Sequence, residues 1–166
     1  MKHPKIANYQ TVFREFPDEI TLAFNFSSCP FRCKNCHSQY LAEDIGEEST
    51  LEYIDSIIDK HPESTCIGLM GGDADPDWIS RIALHIHHKY PALHIGWYSG
   101  RTWNRHSEDV PVNAFLFDYI KFGQYIEELG GLDNPNTNQR MYHNTVHNND
   151  ICNWEDITYK FQKKSY

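Results

Sequence analysis

Between Cys29 and Cys36 the chain places three cysteines at C-x3-C-x2-C, directly after the alternating run Ile20-Thr21-Leu22-Ala23-Phe24-Asn25-Phe26. The alternation predicts a strand with one apolar face, and Ser28 to Ser38 reads as the polar loop into which that strand opens. This is metal-ligand spacing: thiolates are soft donors suited to zinc, copper(I) or iron–sulfur clusters. Three of them on one loop can hold a cube-shaped cluster by three irons, which leaves the fourth iron without a protein ligand.

Strand and helix signals alternate around that loop. Tyr9 to Phe13 reads as a short strand and Pro17-Asp18-Glu19 as a turn. Ser49 with Glu52 forms a capping box, and Leu51, Ile54, Ile57 and Ile58 lay an apolar stripe along a helix that ends near Lys60, before His61-Pro62. Cys66 to Met70 is a short apolar run of buried-strand type that breaks into Gly71-Gly72-Asp73. Asp75 is the expected N-cap of a second helix, with Pro76 in its first position and Trp78, Ile79, Ile82, Ala83 and Ile86 facing inward. Leu93 to Tyr98 is the next strand and opens into Ser99-Gly100-Arg101; a shorter helical piece precedes a strand from Phe115 to Phe122. Beyond Gly123 lies a long loop, Gly130 to Asn138, and then a terminal hairpin from Met141 to Phe161.

The βαβ order predicts a parallel sheet with right-handed crossovers. It is too short for a complete (β/α)8 barrel, which takes ~250 residues. The expected class is α/β, a partial, open β/α barrel with a C-terminal β-hairpin, as one domain over residues 1–166. Ligands in such sheets sit at the C-terminal ends of the strands. The cysteine loop, Gly71-Gly72-Asp73 and Ser99-Gly100-Arg101 are therefore expected on one face.

Charge narrows the partners: 15 Lys+Arg against 23 Asp+Glu give a net charge of -8 and a pI near 5.6. That balance argues against the basic surface that sequence-independent nucleic-acid binding needs. No segment approaches the ~18 apolar residues of a membrane span, and Met1 to Ile6 opens no signal peptide, so a cytoplasmic protein is expected. In a reducing compartment five cysteines read as ligands plus two spare thiols, Cys66 and Cys152.

The residues alone leave several readings of the triplet. A zinc site would complete Cys29, Cys33 and Cys36 with His37 or a remote histidine, yet no second C-x2-C or H-x3-H lies at finger spacing. His143 and His147 stand four apart, in a region read as strand or turn. Cys33-Lys34-Asn35-Cys36-His37 is formally the C-x-x-C-H of haem c attachment, which leaves Cys29 without a role. A ferredoxin-like carrier wants a fourth cysteine at short spacing. A metal-free loop of three clustered thiols invites oxidation.

The triplet is also the radical S-adenosylmethionine signature, and nearly the whole chain resembles the activating proteins of anaerobic (class III) ribonucleoside-triphosphate reductases. The resemblance rests on Cys29-Pro30-Phe31-Arg32-Cys33-Lys34-Asn35-Cys36-His37, Met70-Gly71-Gly72-Asp73 and Gly96-Trp97-Tyr98-Ser99-Gly100-Arg101. More specific is Asp118-Tyr119-Ile120-Lys121, running into Tyr125 to Leu132 and Thr137-Asn138-Gln139-Arg140. It implies a [4Fe–4S] cluster on Cys29, Cys33 and Cys36, with S-adenosylmethionine chelating the open iron, and an electron from reduced flavodoxin or ferredoxin. It implies as its outcome a 5′-deoxyadenosyl radical that takes hydrogen from a glycine of the reductase. The related implication is an activase of another glycyl-radical enzyme of the pyruvate formate-lyase type; outside the superfamily stands a zinc-binding interaction module.

By the same resemblance Gly71, Gly72 and Asp73 meet the methionyl group, and Asn35 and His37 flank Cys36 where relatives line the adenine pocket. Ser99 and Arg101 either hold the ligand's ribose or carboxylate, or Arg101 is a solvated loop cation. No general acid or base is required, so no catalytic residue is assigned. Residue by residue, His85, His87 and His88 read as a solvated helix face and Cys66 as a core thiol. The Gly130 to Arg140 loop reads as a docking element for the reductase or as a turn-rich connector.

Overall fold

The computed structural model describes residues 2–103, 113–146 and 152–162. Over these residues seven strands form one mixed sheet in chain order: β1 (Ile6–Val12), β2 (Thr21–Phe26), β3 (Cys66–Met70), β4 (His94–Tyr98), β5 (Tyr119–Phe122), β6 (Arg140–Asn144) and β7 (Trp154–Asp156). The four central strands, β2 to β5, are parallel. β1 closes one side antiparallel to β2, and the β6–β7 hairpin closes the other. Helices α1 (Leu51–Ile58) and α2 (Pro76–Lys89) carry the chain from β2 to β3 and from β3 to β4. The helical piece expected between β4 and β5 falls mostly on 104–112, outside the described residues, as does His147; a 3-10 turn, Ala114–Leu116, precedes β5.

The two faces of the sheet are different environments. Leu22, Phe24 and Phe26, Ile67 and Leu69, Ile95 and Trp97, and Ile120 and Phe122 point to one side, where the apolar stripes of both helices cover them. Each such side chain contributes about 1.5–3 kcal/mol on burial, so this layer is the main source of stability. The other face carries Ala23, Cys66, Met70, Tyr119 and Met141 around Phe16, which is fully buried. Phe16 fills the space over two glycines. A Cβ on Gly96 would lie 2.2 Å from its ring, so glycine is required there by contact.

One carboxylate ties the entry ends of the parallel strands together. Glu19, just before β2, accepts from Thr65 Oγ1 at 2.5 Å and from the Tyr119 hydroxyl at 3.2 Å, and pairs with His94 Nδ1. Thr65 immediately precedes β3, while His94 and Tyr119 open β4 and β5. All four strands thus begin from one buried anion.

Some local expectations shift. The N-cap of α1 is Thr50, whose hydroxyl accepts from Tyr53 N at 3.1 Å, and not Ser49, whose hydroxyl donates to Pro4 O and receives Trp78 Nε1. The first strand runs Ile6–Val12 and leaves Phe13 exposed beyond its end. The Phe115–Phe122 strand shortens to Tyr119–Phe122, because the backbone turns at 114–116. Asp75 caps α2 as expected, accepting from Trp78 N at 3.1 Å.

Candidate functional site

The loop that follows β2 is shaped by backbone strain. Ser28, Arg32 and Asn35 adopt left-handed φ values of 61°, 47° and 55°, and each stands immediately before one of the cysteines. That conformation costs a non-glycine residue roughly 1–2 kcal/mol, so the surroundings must hold it. The loop is pinned at its base by Ser28 N to Glu43 O and Cys29 N to Leu41 O, at 3.0 and 2.8 Å. Between Cys29 and Cys33 the Phe31 ring lies on Gly100, where a Cβ would approach it to 2.5 Å. Between Cys33 and Cys36, Asn35 Nδ2 donates to Glu127 Oε1 at 2.6 Å, and Lys34 Nζ stands 3.5 Å from Glu127 Oε2.

All three cysteines are free thiols of intermediate exposure, and all three line one cavity of about 950 Å3. Its wall also includes His37, Gly71, Asp73, Ser99, Gly100 and Lys121, together with Asn25, Met70 and Tyr98 from the face opposite the helices. The three loops expected on one side of the sheet do meet there. Asn35, Gly72 and Arg101 stay out of the cavity lining. Gly72 packs on α2 instead: its Cβ would lie 2.3 Å from Ile79 Cδ1. Gly71, at φ 86°, would place a Cβ in ordinary contact with Phe26 O at 3.5 Å, and it bonds its backbone N–H to Tyr98 O and its carbonyl to Trp97 Nε1.

Asp73 is a hub among the loops. Its carboxylate accepts from Ser99 Oγ at 2.6 Å and Gly100 N at 3.0 Å, with Arg101 Nε 3.3 Å away, while Arg101 Nη2 donates to the Asp73 carbonyl at 2.9 Å. Burial holds its carboxyl above the usual range, against the Ser99 and Gly100 hydrogen bonds and the Arg101 and Lys121 charges, which offset it only in part. Ser99 and Arg101 are thus engaged with Asp73, which joins the loop after β3 to the loop after β4.

Lys121 is the functional candidate that residue patterns missed. It lies in β5 with 8% of its surface exposed, donates to Gly123 O at 3.1 Å and stands 5.4 Å from the centre of the Tyr98 ring. A carbonyl and a ring face do not neutralise it. Burial pushes its ammonium down to about 8, against the upward pull of Asp73 and of Cys36, Cys33 and Cys29. The signal was a lysine amid Tyr119, Ile120 and Phe122, where all four positions prove buried.

The β5–β6 loop forms a further part of the wall through Gly130, Gly131, Asp133, Asn134, Pro135 and Gln139. It is internally tied: Thr137 Oγ1 donates to Gly130 O, Asn138 Nδ2 to Gln124 O and Gln139 Nε2 to Gly123 O. The spare thiols lie elsewhere. Cys66 is buried at the start of β3, and burial pushes its thiol well up; Cys152 accepts from Asn144 Nδ2 at 3.7 Å. His87 and His88 are exposed on α2, and His85 bonds Asp55 of α1 at 2.8 Å.

Among the described residues no three His, Cys, Asp or Glu side chains converge on a single-ion site. A cube cluster asks for something else, three thiolates on three separate irons. No helix is long and apolar enough to cross a membrane among the described residues. A family model described as a 4Fe-4S single cluster domain matches residues 20–141, from the residue before β2 into β6. No curated protein and no solved structure matches the chain.

Proposed function

The chain belongs to the 4Fe-4S single cluster domain family, and on that premise we propose that it activates an anaerobic ribonucleoside-triphosphate reductase by radical S-adenosylmethionine chemistry. One observation carries the reading: the three-cysteine loop opens onto a cavity of about 950 Å3, and neither Cys66 nor Cys152 lies in its lining. That volume is within the ~300–1,000 Å3 of small-molecule sites. Half-exposed free thiols and a buried cation across the same space fit a cluster together with an amino-acid-bearing cofactor.

In this reading Cys29, Cys33 and Cys36 hold the [4Fe–4S] cluster, and the sheet is an open β/α barrel with the cavity on its inner face. When bound, the cluster, given one electron from reduced flavodoxin or ferredoxin, would supply reductive cleavage of S-adenosylmethionine to methionine and a 5′-deoxyadenosyl radical that would take hydrogen from a glycine of the reductase. The chain's own work is binding and orientation. Gly71 lets backbone approach the methionyl group. Lys121 offers an ammonium to its carboxylate from a low-dielectric wall, where a charge-assisted bond is strong. Asp73 keeps the loops after β3 and β4 in register, and His37 faces the same space from the cysteine loop. The β5–β6 loop shields that space from water.

The test is anoxic reconstitution followed by reduction in the presence of S-adenosylmethionine and the cognate reductase. The expected results are iron with sulfide, release of 5′-deoxyadenosine, and the electron paramagnetic resonance doublet of a glycyl radical. Zinc without iron would make the chain a metal-binding interaction module. A reducible cluster that leaves S-adenosylmethionine intact would make it an electron carrier. A doublet on a lyase but not on the reductase would make it an activase of the pyruvate formate-lyase type.

A further inference from the structure

The two spans between the cysteines are held differently. Phe31, between Cys29 and Cys33, is seated on Gly100. Between Cys33 and Cys36 stand only Lys34 and Asn35, both exposed, and the backbone contributes Cys36 N to Cys33 O at 3.2 Å. Asn35 is left-handed there, with φ 55°. Its side chain and that of Lys34 reach the two oxygens of one carboxylate, Glu127, at 2.6 and 3.5 Å. Glu127 in turn sits in a tight turn, since the Ile126 carbonyl accepts from both Leu129 N and Gly130 N at 2.9 Å and Ile126 bridges Gly130. On the other side of Cys36 the His37 ring lies 5.8 Å from that of Tyr125, in the same loop.

From this geometry we infer that Glu127 is a positioning residue for the cluster: it holds the Lys34-Asn35 span, and so the direction of the Cys33 and Cys36 sulfurs, from the β5–β6 loop. The inference rests on reading those cysteines as cluster ligands. Its physical content is twofold. The Asn35 amide bond restrains a backbone conformation that an unassisted residue leaves readily. The carboxylate also faces the Lys34 ammonium at 3.5 Å, so removing its charge would leave the cysteine loop more positive and would favour the reduced state of a cluster held there.

The test uses the full chain, reconstituted without oxygen, and reads the rate of iron loss to a chelator and the midpoint potential of the cluster. E127A and N35G are expected to lose iron several-fold faster than wild type. N35G keeps the left-handed backbone accessible but adds backbone freedom, and E127A, which leaves residue 35 unchanged, separates the lost side-chain bond from that freedom. The double variant is expected to be no faster than the quicker single one, because both remove the same contact. E127Q retains an oxygen for Asn35, so it should hold iron better than E127A while its midpoint moves to more positive potential. Fully loaded E127A with wild-type iron loss and an unmoved E127Q midpoint overturn the positioning role alone. A wild-type chain that takes up no iron overturns the cluster reading and this role with it.

Discussion

Lys121 brings a charge into the cavity wall with 8% of its surface exposed, and its ammonium is pushed from the usual 10.5 down to about 8 by burial. At pH 7 it is protonated folded and unfolded, so the fold carries the cost of the depressed value. At ~1.36 kcal/mol for each unit of pKa, that cost is about 3 kcal/mol. Between about pH 8 and 10.5 the unfolded chain binds the proton that the folded chain has released, so this residue's contribution makes stability rise with pH across that window. Lys121→Met should therefore be more stable than wild type at pH 7, by up to about 3 kcal/mol. The difference should shrink as pH climbs through the window. Urea unfolding of both proteins from pH 7 to 10 checks it, and a less stable variant at pH 7 would contradict the assignment. Asp73 and the three cysteine sulfurs across the cavity offset only part of that cost. The residue was hard to read in the sequence because lysine in a strand ordinarily marks a solvent-facing position. Only the packing of Tyr98 above it and the cysteine loop beyond reveals the cavity side. Gly72 shows the converse: adjacent to Gly71 and read with it, it is glycine because its φ of 84° suits no side chain and Ile79 packs against it.

The strand–loop–helix units were legible because their signals are local: a period-2 apolar run for β2, a continuous apolar run for β3, and Asp75-Pro76 with the stripe Ile79, Ile82, Ala83 and Ile86 for α2. The N-cap of α1 was misread by one position because Ser49 and Thr50 are both capping residues. What separates them is tertiary, the Trp78 indole that claims Ser49. Least legible was Glu19, one acidic residue in a predicted turn, whose partners lie 46 to 100 residues away. Because Thr65, His94 and Tyr119 all meet its carboxylate, removing it breaks three interactions at the strand entries at once. Glu19→Ala should destabilise by about 3 kcal/mol, through loss of a buried network rather than of one surface pair. A lower denaturation midpoint at unchanged denaturant slope is the expected observation. A variant within a few tenths of a kcal/mol of wild type would show that the strands start in register without it.

Taken whole, the molecule separates its stability from its chemistry. Both apolar layers are built without Cys29, Cys33 or Cys36, which lie on a loop beyond β2, and the Glu19 network anchors the opposite ends of the strands. The sequence showed where the cysteines stand and which turns accompany them, because spacing is a local property. How the β5–β6 loop reaches back to Lys34 and Asn35 was hidden, since a contact across 92 residues leaves no trace in spacing. That separation sets an expectation for loss of the cluster. In small zinc domains the metal is the core and its removal unfolds the chain. Here, chelation should leave a cooperative thermal transition and unchanged near-ultraviolet dichroism from the buried Trp97, since that core owes nothing to the thiols. Hydrogen exchange should localise the change. Amides of residues 28–38 should lose protection on chelation, while those of β2 to β5 keep theirs, because local opening follows local contacts. Global loss of protection would instead make the cluster a determinant of the stability of the whole fold.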